Sequence, residues 1–95
     1  MIDNLKSLSY AIQPVLEQGE GFEVDILFNH FLSTTYRINF HDIIGEHETV
    51  LNIKYFSVLR NLIIQEVFLE NRRAGTFTRI LDIIKSWAKD HYILL

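Results

Sequence analysis

The chain contains no cysteine. Disulfide stapling, thiolate nucleophiles and cysteine-ligated zinc are therefore excluded, and a reducing, cytoplasmic setting is the expected one. Proline occurs once, at Pro14, and none of the four glycines is gathered with proline or serine into a linker. No internal repeat or low-complexity stretch is visible either. A chain of 95 residues buries one core, so residues 1–95 are read as a single domain. Long apolar runs are also missing. The best of them, residues 62–64 and 92–95, fall far short of the roughly 20 needed to cross a bilayer. The amino end carries Asp3 and Asn4 rather than a basic segment leading into an apolar one, so neither a membrane span nor a signal peptide is expected. Positive charge is scarce between residues 17 and 48, where Glu17, Glu20, Glu23, Asp25, Asp42, Glu46 and Glu48 are joined by Arg37 alone. Arg72, Arg73, Arg79, Lys85 and Lys89 come later. With a formal net charge of −3, this dipolar distribution argues against general nucleic-acid binding and leaves room for one local anion site.

What is present is the composition of an ordinary folded domain, 48% hydrophobic and 22% charged. Asp3 is placed to cap a helix whose apolar residues Leu5, Leu8, Ile12, Val15 and Leu16 recur at helical spacing. Pro14 removes a backbone donor and disfavours helical geometry at Gln13, so this helix ends there, kinks, or restarts with Pro14 in its first turn. Gly19 and Gly21 mark its exit. Phe22, Val24, Ile26 and Phe28 alternate with Glu23, Asp25, Leu27 and Asn29, the pattern of a half-buried strand over 22–31. A polar turn around Ser33 and Thr34 leads to the alternating Tyr36, Ile38 and Phe40, an antiparallel return. Gly45 marks a loop. Residues 50–56 and 62–69, joined through Arg60 and Asn61, read as a further hairpin. A single helix over 50–69 stays open as the competing reading, because Leu51, Tyr55, Val58, Leu59, Leu62 and Ile63 also recur every three to four residues. The final helix puts Phe77, Ile80, Leu81, Ile84, Trp87 and Ala88 on one face and Arg79, Asp82, Lys85 and Lys89 on the other. The fold class is α+β: an amino-terminal helix, a mostly antiparallel sheet of about four strands, then a strand-turn-helix-strand crossover.

Chemistry concentrates at residues 70–77, Glu-Asn-Arg-Arg-Ala-Gly-Thr-Phe, between a β-rich run and the periodic helix. A helix start leaves backbone N–H groups unpaired and partially positive, and a turn containing Gly75 can wrap them around a phosphate. Arg72 and Arg73 would add charge-assisted donors. His41, Asp42, Glu46, His47 and Glu48 are of metal-ligand type, but their spacing matches no common signature, and no metal site is expected. No nucleophile elbow, P-loop or helix-turn-helix sequence is present.

Residues 62–90 resemble the coenzyme-A-binding core of the GNAT superfamily of N-acetyltransferases. That family holds the cofactor pyrophosphate in an Arg/Gln-x-x-Gly-x-Gly/Ala turn, and Arg72, Gly75 and Phe77 occupy its three positions, Phe77 standing where a small residue is usual. The resemblance implies acetyl-CoA as the bound cofactor, with Arg72, Arg73, Ala74, Gly75, Thr76 and Phe77 around its phosphates. The backbone of Val67, Phe68 and Leu69 would pair with the pantetheine arm. It also implies a glutamate base on the preceding strand. Strict alternation puts Glu66 on one face with Ile64 and Phe68, where partial desolvation would tune it, and Glu70 is the second candidate. Family members continue past the fifth strand, where the present sequence stops at Leu95, so transfer by this chain alone is expected to be slow.

Two functional classes follow. One is a minimal or degenerate acyl-CoA-dependent N-acetyltransferase. The other is a small non-enzymatic interaction or inhibitor protein, of the kind made by phages and mobile elements, that keeps the fold without the reaction. Residues 92–95 are expected as a strand parallel to 62–69. With no lysine, proline or bulge to blunt it, that edge would be covered by a second copy in a homodimer, by a host protein partner, or by Leu94 and Leu95 folding back onto their own core.

Overall fold

The computed structural model describes residues 2–31, 34–43, 48–69 and 75–95. Six elements follow one another: α1 (Ile2–Glu20), β1 (Val24–Phe31), β2 (Thr35–Asp42), β3 (Thr49–Phe56), β4 (Asn61–Val67) and α2 (Thr76–Asp90). The strands form one antiparallel sheet in the order β1-β2-β3-β4, so every strand lies beside its neighbour in sequence. This is the expected α+β architecture, and residues 50–69 form the hairpin rather than one helix. No helix among the described residues is long and apolar enough to cross a membrane.

Both helices lie on one side of the sheet. Leu5, Leu8, Ile12 and Leu16 of α1 and Ile80, Ile84, Trp87 and Ala88 of α2 enclose a core with Val24, Ile38, Phe40, Leu51, Ile53, Tyr55 and Leu62 from the strands. Period-two alternation explains which strand residues these are, since cross-strand partners Phe28, Ile38, Ile53 and Ile64 share the inward face. The helices run antiparallel and are tied at both ends. The Trp87 indole N–H donates to the Asn4 carbonyl oxygen at 3.1 Å. At the other end Gly19 lies against Thr76, so close that a Cβ on Gly19 would fall on the Thr76 side chain. α1 runs unbroken through Pro14. Pro14 and Tyr10 are both exposed, so water can serve the carbonyl that the missing N–H leaves unpaired.

Three features differ from the sequence reading. In β4 the register shifts between the pairs Asn52–Glu66 and Ile53–Ile64, leaving Gln65 as the extra residue of a bulge. Alternation restarts there, so Glu66 shares a face with Asn52 on the open side of the sheet, opposite to Ile64. In α2, Phe77 is exposed and Thr76 is buried in its place. Thr76 is the residue turned toward Gly19, and one step along a helix rotates the next side chain by about 100°. At the carboxy end the parallel crossover is present but reduced to one bridge, Asn61–Leu94, with the Leu62 N–H donating to Leu94 at 2.8 Å and the Leu94 N–H to Arg60 at 2.7 Å. Ile93 is buried while Leu94 and Leu95 stay exposed. Arg60, itself at φ 51, donates through its guanidinium to the carbonyls of His91 and Tyr92 and holds this tail against the β3–β4 turn.

Two stability outcomes follow. Gly19→Ala drives a methyl group into buried Thr76 and should lower the unfolding free energy by about 1–3 kcal/mol; a loss under about 0.5 kcal/mol in urea titration would mean the helices separate there freely. Pro14→Ala restores a helix bond and should raise stability by about 1–3 kcal/mol. No gain in the same titration would show that α1 is already relaxed around the proline.

Candidate functional site

At the end of the sheet beside the first turn of α2 lies a cleft of about 1210 Å³. Glu66 and Val67 of β4, with Phe68 and Leu69 that follow, form one wall. Phe77 and Thr78 from the first turn of α2 form another. Phe22 before β1, Asp42 at the end of β2, and Glu48, Thr49 and Val50 at the start of β3 complete the described lining. The volume is generous for a small-molecule site.

Local geometry explains the two walls. β3 runs past this end as far as Thr49, and the Phe68 N–H still donates to the Val50 carbonyl at 2.8 Å, so the chain stays paired one residue beyond β4 proper. Because strand neighbours point their backbone groups to opposite sides, Val67 and Leu69 turn theirs to the outer edge. Along this edge the one bridge among the described residues is Asn61–Leu94, at the far end of β4. α2 begins after Gly75, which sits at φ 70 and ψ 15, a left-handed conformation suited to glycine. No described side chain caps the helix, and its first backbone bond is from the Arg79 N–H to the Gly75 carbonyl. The N–H groups of Thr76, Phe77 and Thr78 are thereby left without intrahelical acceptors.

The electrostatics of the described lining are one-signed: Asp42, Glu48 and Glu66 are its charged residues, beside the aromatic rings of Phe22, Phe68 and Phe77. One oxygen of Asp42 is buried without a hydrogen-bond partner. Glu66 accepts a 3.4 Å hydrogen bond from the Asn52 amide and is otherwise exposed, so the desolvation that strict alternation suggested for it is not found. The bulge at Gln65 is the reason.

Of the residues singled out in the sequence, Glu66, Val67, Phe68, Leu69 and Phe77 come together in this cleft, with Gly75 and Thr76 at the adjoining helix start. Glu70, Arg72, Arg73 and Ala74 lie outside the described residues, as do Glu46 and His47. No group of three metal-ligand side chains occurs among the described residues. His41 faces Asp25 across the β1–β2 pair, 3.7 Å away, on the open face. Phe22, Thr49, Val50 and Thr78 were not singled out as site residues; Asp42 and Glu48 drew attention only as ligand-type side chains. Thr78 reaches the cleft from the first turn of α2, and the other five from segments whose nearness to β4 depends on the completed meander. Compared with protein-family models, curated proteins and solved structures, the chain matches none.

Proposed function

We propose that the cleft binds an acyl-coenzyme A, and that the chain is the core of a GNAT-like N-acetyltransferase. One observation carries this reading: a single cleft joins the chain at Glu66–Leu69, whose outer edge no other described residue pairs with, to the first turn of α2 at Phe77 and Thr78, which no described side chain caps. An extended arm with amide groups suits the first, and phosphates suit the second. Among the described lining no side chain is basic, so the described donors to an anion are the backbone N–H groups of the helix start, and positive φ at Gly75 lets them approach it. Phe77, 39% exposed at the mouth, narrows the entrance and offers an apolar surface to the arm.

A bound acyl-coenzyme A would supply the activated thioester, whose C–S bond would break as the amine nitrogen bonds to the acyl carbon, with coenzyme A leaving as the thiol after taking a proton from solvent. The remaining chemistry falls to the chain. Asp42, Glu48 and Glu66 favour a cationic amine as acceptor, and Glu66, exposed to water, takes the amine proton through a solvent molecule. Phe22, Phe68 and Phe77 give the acyl and pantetheine end an apolar surface to lie against. The other functional class, a small interaction protein, is favoured by one separate feature: Val58, Leu59, Tyr92, Leu94 and Leu95 are all large, apolar or aromatic, and exposed.

Calorimetric titration with acetyl-coenzyme A tests the first reading. The unaltered protein should bind, and Gly75→Val or Arg72→Ala should weaken binding at least tenfold, about 1.4 kcal/mol. Absence of binding would overturn the transferase reading and leave the interaction class. Glu66→Gln should slow acetyl transfer to a primary amine without lowering affinity for the coenzyme. An unchanged rate would remove Glu66 from the chemistry.

A further inference from the structure

Charge is sorted through the folded molecule as well as along the chain. The β1–β2 and β3–β4 turns meet at one end of the sheet, where the Ser57 N–H and hydroxyl both donate to the Thr34 carbonyl oxygen. The start of α1 and the end of α2 lie at this end too, joined by the Trp87–Asn4 bond. Its described charges are Lys6, Arg37, Lys54, Arg60 and Lys89 against Asp3 and Asp90, a surplus of positive charge on a chain whose net charge is −3. At the cleft end carboxylates predominate, with Asp42, Glu48 and Glu66 in the lining and Glu17, Glu20 and Glu23 around the exit of α1.

The basic end also carries five large side chains in water: Val58 and Leu59 on the β3–β4 turn, and Tyr92, Leu94 and Leu95 on the tail. Turn and tail are clamped into one unit. The Leu94 N–H donates to the Arg60 carbonyl, the Leu62 N–H donates to that of Leu94, and the Arg60 guanidinium donates to the carbonyls of His91 and Tyr92. Arg60 and Tyr92 are the two non-glycine residues at positive φ among the described residues, at 51 and 56, a backbone conformation that costs an L-residue free energy. Tyr92 is 85% exposed, so packing of its ring in the core does not offset that cost.

We propose that this end docks on the surface of a bilayer containing anionic phospholipid, lying on it without crossing it. Val58, Leu59, Leu94 and Leu95 enter the boundary of the acyl chains, Tyr92 lies at headgroup level, and Arg60 and Lys89, with Lys54 behind them on the sheet, meet the lipid phosphates. Shape favours this occupant over a folded partner. The five side chains line neither the cleft nor the groove between the helices but stand out from a tight turn and a short tail. A deformable apolar layer accepts such projections anywhere, whereas a protein needs a matching hollow. Charge decides against a second copy, because pairing this end with itself would set one positive surplus against another. The cleft stays open to water, since about 22 Å of α2 separates its first turn from the tail. Nothing in this docking depends on what the cleft binds.

Flotation of the full chain with lipid vesicles reads the result. Vesicles of phosphatidylcholine with about 30% phosphatidylserine should bind it, and pure phosphatidylcholine should bind it at least tenfold more weakly. Binding should fall in about 0.5 M salt, where screening shortens the reach of each charge to roughly 4 Å. Leu59→Asp and Leu94→Asp, both at exposed positions that circular dichroism should show still folded, should each weaken binding at least tenfold, and Lys89→Glu about tenfold. Arg79→Glu makes the same change of charge about 15 Å further down α2 and should leave binding within about twofold. Equal binding to both kinds of vesicle overturns the proposal, as does binding indifferent to Leu59→Asp and Leu94→Asp, or one that Arg79→Glu weakens as much as Lys89→Glu. No binding to either kind leaves the patch to a protein partner and equally overturns it.

Discussion

The rest of the molecule depends on the contact between Gly19 and Thr76. α1 and α2 run antiparallel, and at this end they approach so closely that only a residue without a side chain can stand at position 19. The contact buries Thr76, and through helical geometry it decides which way the first turn of α2 presents Phe77 and Thr78. At the opposite end the Trp87 indole holds the Asn4 carbonyl, so the pair is registered twice, once by steric fit and once by a hydrogen bond. With the helices fixed, Ile80, Ile84 and Ala88 fall onto the sheet and the start of α2 lies beside the outgoing end of β4. The cleft is the space left between them.

Two helices cover one face of a four-stranded sheet and leave the other open. Antiparallel sheets tolerate this because alternation separates apolar from polar side chains. Here the separation is incomplete: Leu27, Phe31 and Ile63 remain exposed on the open face, and Asn52 is buried there. The edges are treated differently from each other. Side chains from α1 seal the start of β1, while among the described residues β4 is covered where Arg60 clasps the tail and Leu94 bridges Asn61. The stretch of edge that no other described residue pairs with coincides with the wall of the cleft, at Val67 and Leu69.

A one-residue irregularity separates the two faces of that wall. The bulge at Gln65 reverses the alternation, turning Glu66 toward the open face and Val67 toward Leu51 in the core. A glutamate expected among apolar neighbours is instead in contact with water and with Asn52. The acid–base role proposed for Glu66 would proceed through solvent, which is a different demand from that of a carboxylate held among apolar neighbours.

Much of this was determined by the sequence alone. Period-two runs at 22–31, 36–40, 50–56 and 62–69, and the 3.6-residue period at 5–16 and 77–88, are local consequences of which side chains must leave water, and each became the expected kind of element. The choice of hairpin over helix for 50–69 was not local. It was decided by pairing of β3 with β2 and β4, which no periodicity reports. Val67, Phe68, Leu69 and Phe77 were named as candidate site residues through the resemblance of their strand, glycine turn and helix to the GNAT core, and these four do line the cleft. Phe22, Thr49 and Thr78 had no such signal. The roles of Asp42 and Glu48 as cleft carboxylates were equally hidden behind their ligand-type chemistry. The bulge at Gln65 and the burial of Thr76 are likewise products of tertiary structure, since both arise where one element meets another, and a sequence read in windows contains no term for the partner.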